Sequence, residues 1–129
     1  MAKTKEERLQ DAFEYVRKIF FPRWDRGRKW KVVYTPRFKK RRIEAVCHSN
    51  IREIWFYTIS KYDEMLRSCL VHEICHVNTW GHGKNWLANM ERAYQRGLAD
   101  PSVSGTLSAF IDHDRRREYR SEKYRTGKR

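Results

Sequence analysis

Apolar positions recur along this chain at changing intervals, and each change marks an element. Between residues 4 and 20, Leu9, Phe13, Val16 and Phe20 return at helical spacing, with Pro22 as a stop. Thr4 followed by Glu7 is a capping-box pattern at the start of that helix. The stretch WKVVYT at 30–35 is rich in β-branched and aromatic residues and reads as a strand that Pro36 ends. RIEAVCHS and IREIWFYTI, separated near Ser49 and Asn50, read as two more strands joined by a tight turn. Together these segments predict a three-stranded antiparallel sheet.

The helical period returns in the second half. Ser60 and Asp63 repeat the capping pattern and open a helix over about 61–80, where Leu66, Leu70, Ile74 and Val77 form one stripe for packing on the sheet. Gly81 and Gly83 interrupt it. A following helix over 84–96 repeats Trp86, Met90 and Tyr94 every four residues, with Gly97 and Pro101 as stop signals. From Ser104 a further helix runs through Leu107, Phe110 and Ile111. The fold class expected is α+β: an N-terminal helix, a three-stranded antiparallel sheet, a central helix and a following helix, forming one domain over 1–113. DRRREYRSEKYRTGKR, 114–129, has few apolar residues and reads as a basic tail.

Composition adds constraints. No run of eighteen apolar residues is present, and the start MAKTKEERLQ lacks the apolar stretch of a secretory signal, so a soluble chain of the cytoplasm or nucleoid is expected, with no membrane partner. Cys47, Cys69 and Cys75 form no CxxC pair and too small a set for a disulfide framework, which fits reduced thiols. Lysine and arginine total 29 against 16 acids, a formal charge of +13, and this excess predicts a polyanionic partner, nucleic acid before membrane. Its densest runs are RFKKRR, with Arg37, Lys39, Lys40, Arg41 and Arg42, and the tail that begins with Arg115, Arg116 and Arg117. Phe38 and Trp24 stand among these charges, where each either packs or stacks on unpaired bases of single-stranded DNA.

The segment that carries chemistry is LVHEICHVNTWGHGKNW, 70–86. Histidines four apart on a helix share a face within reach of one ion, which His72 and His76 satisfy. A catalytic zinc needs three protein ligands and an open position, and His82, beyond a Trp-Gly step, is the natural third. Glu73 then stands where a carboxylate can take a proton from a bound water during attack on a peptide carbonyl. The same group can pass that proton to the leaving amine. Cys75 is expected in the core, Cys69 lies one turn before the site, and Trp80 stands to wall the pocket. A strand over 51–59 at the sheet edge would receive an extended substrate by strand addition.

On these residues the sequence resembles the SprT-like metallopeptidases, the group that includes Spartan, and the related WLM-type small zincins. The likeness covers about 50–95: a strand ending in YTIS, HEICH, then HGKNWLANM with His82, Gly83, Trp86 and Met90. The resemblance implies a small zincin-like domain, Zn2+ held by His72, His76 and His82, and catalysis by Glu73. For the SprT branch it further implies cleavage of proteins bound or crosslinked to DNA. The cysteine-rich ribbon that often follows the SprT core has no counterpart in this sequence, so DNA contact falls to other surfaces. The six-residue step from His76 to His82 equals metzincin spacing, but Thr79 stands where that group has glycine. Two alternatives stay open: a non-catalytic nucleic-acid-binding module with a zinc site, and a zinc peptidase unrelated to DNA.

Overall fold

Thr4 fixes where the first helix begins. Its hydroxyl accepts from the Glu7 amide at 3.1 Å and the Glu7 carboxylate accepts from the Thr4 amide at 3.2 Å, the reciprocal box that the sequence predicts. A computed structural model of the chain describes residues 2–38, 43–77, 79, 83–98, 100, 101 and 103–113. The first helix, α1, is Lys5–Phe20, and Leu9, Ala12, Phe13, Val16 and Phe20 bury its apolar stripe.

The connector after α1 is held by one carboxylate. Asp25 accepts from Arg17 Nη1 at 2.8 Å, from the Lys29 amide at 2.9 Å and from the Trp30 amide at 3.0 Å. Asp25 itself adopts φ 50°, a left-handed conformation that Asp tolerates better than most residues. Trp24 packs edge-on against Phe13 and Phe21 and tilted against Trp30, while the Arg17 guanidinium lies over its ring. Packing of this kind accounts for Trp24, which is half-buried.

The sheet comprises β1 (Lys31–Tyr34), β2 (Ala45–His48) and β3 (Glu53–Phe56), in the order β1-β3-β2. β2 and β3 form the antiparallel hairpin read from the sequence, closed by the turn at 49–52. β1, however, runs parallel to β3, so the sheet is mixed, correcting the expected all-antiparallel arrangement. Alternation fixes which side chains enter the core, and it does so whichever way a neighbouring strand runs. Val32 and Ile54 pair and are both buried, a match available in either direction. A short 3-10 turn, Pro36–Phe38, follows β1.

Ile54, Phe56 and Val32 enter a core with Leu66, Leu70, Val71 and Ile74 of α2, which spans Asp63–Ile74. α2 is shorter at both ends than the predicted 61–80. Tyr62 is its N-cap without a side-chain cap bond, and Ser60 Oγ instead accepts from the Tyr62 amide at 3.1 Å. The chain returns in α3, Lys84–Arg96, as expected, with Trp86 and Met90 wholly buried. At its end Gly97 packs against α1: a Cβ there would lie 1.8 Å from the Phe20 ring. The last described helix, α4, covers 101 and 103–113 and starts earlier than expected. Pro101 ends the preceding stretch but also occupies a first-turn position where its missing N–H costs nothing, and Asp100 Oδ1 accepts from the Val103 amide at 3.4 Å. Val103, Leu107 and Ile111 of α4 complete the core.

The architecture is thus α+β, four helices and a small mixed sheet, among the described residues. None of these helices is long and apolar enough to cross a membrane. The basic tail 114–129 lies outside the described residues.

Candidate metal centre

The C-terminal end of α2 leaves carbonyls that its own helix cannot satisfy, and α3 supplies their partners. Trp86 Nε1 donates to the His72 carbonyl at 3.3 Å, and Asn89 Nδ2 donates to the Cys75 carbonyl at 3.1 Å. Thr79 Oγ1 donates to the same Cys75 carbonyl at 3.0 Å. Past Ile74 the chain tightens: the amides of His76 and Val77 donate to the carbonyls three residues back, Glu73 and Ile74, at 3.0 Å each. His76 therefore sits on a turn that continues the helix, whereas the sequence had placed it within the helix.

Despite that tightening the two imidazoles meet. Nε2 of His72 lies 3.2 Å from Nε2 of His76, with ring centroids 4.9 Å apart. Trp86, wholly buried, forms their floor: it meets His72 edge-on at 5.0 Å and stacks on His76 at 5.6 Å and 27°. Phe110 from α4 closes the other side of His72 at 5.8 Å. The sequence signalled Trp86 only as part of a core stripe and as a point of family resemblance. Asn89 and Phe110 gave no such signal, since hydrogen bonding to a helix end and packing across helices need the tertiary fold.

Glu73 completes a cluster with His72 and His76 in which one ligand atom from each lies within 4.8 Å of the others. Its Oε1 is 4.0 Å from His72 Nε2, and its side chain is 12% exposed. Burial pushes this carboxyl up to about 8. On the same side, burial also pushes the thiols of Cys47 and Cys69 up, and the Glu73 charge adds to both. Cys69 Sγ, as expected one turn before the site, donates to Glu44 Oε2 at 3.3 Å. Cys75 is buried in the core.

The donor set suits a zinc ion. Tetrahedral zinc with Zn–N bonds near 2.05 Å separates two nitrogens by about 3.3 Å, close to the observed 3.2 Å. His82, the third ligand expected, lies outside the described residues, as does Trp80. No family model, curated protein or solved structure matches this chain.

Two expectations about surfaces change. The strand at 51–59 is not an edge: β3 is the centre of the sheet, and β2 is the edge whose residues Cys47 and, just before it, Glu44 approach the α2 site. Hairpin pairing on one side and β1 pairing on the other leave β3 no free backbone. Of the basic residues singled out for nucleic acid, Arg37 is exposed on the 3-10 turn. Lys39, Lys40, Arg41, Arg42, Arg115, Arg116 and Arg117 lie outside the described residues.

Proposed function

We propose that this chain is a zinc-dependent metallopeptidase of the small zincin type, acting on DNA-associated or DNA-crosslinked proteins. The single observation that carries the catalytic part is the 3.2 Å approach of the His72 and His76 nitrogens with the Glu73 carboxyl inside the same cluster. His72, His76 and His82 would hold the ion. Zinc bound there supplies Lewis acidity toward a peptide carbonyl and makes water more acidic.

The rest of the work falls to the chain's own groups. Glu73 Oε1 is the base that takes a proton from the attacking water and returns it to the departing amine. Oε1, 4.0 Å from His72 Nε2 in the same cluster, is placed to carry the proton between those two steps. Trp86 and Phe110 keep the imidazole rings oriented and exclude water from one side. The β2 edge offers main-chain partners to an extended substrate, since no further strand covers it among the described residues. Binding of that kind reads backbone more than side chains, which fits a peptidase of broad sequence tolerance. The DNA-associated part is supported by the +13 charge.

The test is proteolysis of a DNA-bound protein by wild type and Glu73→Gln, with and without DNA. The glutamine variant is expected to lose about 10²- to 10⁴-fold in rate while keeping its zinc. Undiminished hydrolysis in that variant removes Glu73 as the base. Hydrolysis that DNA fails to stimulate at moderate salt leaves a peptidase without the nucleic-acid role.

A further inference from the structure

The helices cover one face of the sheet. On the opposite face alternation places Lys31 and Val33 of β1, Val46 and His48 of β2, and Glu53 and Trp55 of β3, and the short 3-10 turn Pro36–Phe38 packs there. Phe38, 46% exposed, stacks on Trp55 with centroids 5.9 Å apart and planes at 25°. His48 meets the same indole at 4.5 Å. The Glu53 carboxylate accepts from Trp55 Nε1 at 2.8 Å, which fixes the indole's orientation. The Arg37 guanidinium lies 5.1 Å from the Phe38 centroid. In the sequence Phe38 is followed directly by Lys39, Lys40, Arg41 and Arg42.

We infer that this outer face, centred on Phe38 and Trp55, binds single-stranded nucleic acid by stacking bases on the aromatic pair. The inference rests on the DNA-associated part of the reading above, and requires nothing of the metal centre. An aromatic ring left half in water on an outward sheet face is a ready stacking surface, and every base has a π-face to offer it. The Arg37 guanidinium beside the Phe38 ring supplies a phosphate contact of the kind that such binding needs. Paired bases stay hidden inside a duplex, so the ring distinguishes single strands from double.

The test measures fluorescence anisotropy of a labelled oligo-dT and of a duplex at low salt. The full chain carries Glu73→Gln throughout, which keeps hydrolysis out of the readout. Phe38→Ala is expected to weaken oligo-dT binding about 5- to 150-fold, the loss of one stacked base. Phe38→Trp should restore it, and duplex affinity should change less than twofold. Because Phe38 is exposed on a short turn, the alanine variant is expected to keep the parent's melting temperature. Oligo-dT affinity unchanged in Phe38→Ala overturns the inference, and so does an equal loss toward the duplex. Phe38-dependent binding to phosphatidylserine vesicles with no effect on oligo-dT overturns it in favour of a membrane surface. A parent that binds no oligo-dT sinks this inference and the DNA part of the function, while peptide hydrolysis by wild type stands or falls separately.

Discussion

Asp25 and Glu73 are both withdrawn from water, with side chains 6% and 12% exposed, and the fold treats them oppositely. Burial pushes the Asp25 carboxyl up, but the Trp30 and Lys29 amides and the Arg17 guanidinium more than reverse it, holding the group below its ordinary value. At Glu73 burial is the cause that acts among the described residues, and the carboxyl rises to about 8. A buried carboxylate that serves the fold is satisfied by it. Among the described residues Glu73 faces His72 Nε2 at 4.0 Å and takes no amide or guanidinium bond of the kind that settles Asp25, which suits a group that acts on a further partner.

Replacing Asp25 should produce the largest effect. Asp25→Ala leaves Arg17, whose side chain is 9% exposed, buried without its counter-charge, and should cost about 3–5 kcal/mol in denaturant unfolding. A loss under 1 kcal/mol would break the contrast from the structural side. The acid limb of stability tests the same site. A carboxyl held below its ordinary 3.8 contributes stability that is present above that value and is lost as pH falls through its folded pKa. Wild type should therefore lose stability below about pH 4 faster than Asp25→Asn, measured by thermal melts across pH. Thr4→Ala gives a yardstick for an ordinary exposed cap, about 1 kcal/mol, by the same unfolding assay. The smallest stability effect is expected at the candidate site: Glu73→Gln in metal-free protein should melt no lower than wild type, since it substitutes a neutral isostere for a buried acid.

How much of this was legible in the sequence depended on whether the signal was local. Thr4 and Glu7, the apolar stripe of each helix and the His72–Glu73–His76 spacing are all set within a few helical turns, and the helices they predicted are present. The direction of β1 was not legible, because Val32 pairs its buried face with Ile54 equally well in either sense. With β1 seated beside β3 in the order β1-β3-β2, the edges are β1 and β2 and β3 is central. The early end of α2 was also hidden: the carbonyls of His72 and Cys75 are captured by Trp86 and Asn89, fourteen residues further on in each case. Pro101 carried two meanings, a stop for one helix and a start for the next, and only the first was read.

Catalysis by this chain would depend on His72 and His76 approaching each other to share a metal. Zinc titration of the purified chain, followed by calorimetry and by metal analysis after dialysis, tests this directly. One zinc per chain is predicted for wild type and for Glu73→Gln, with retention lost in His72→Ala and in His76→Ala. Zinc retained equally by all four proteins, or by none, would contradict it.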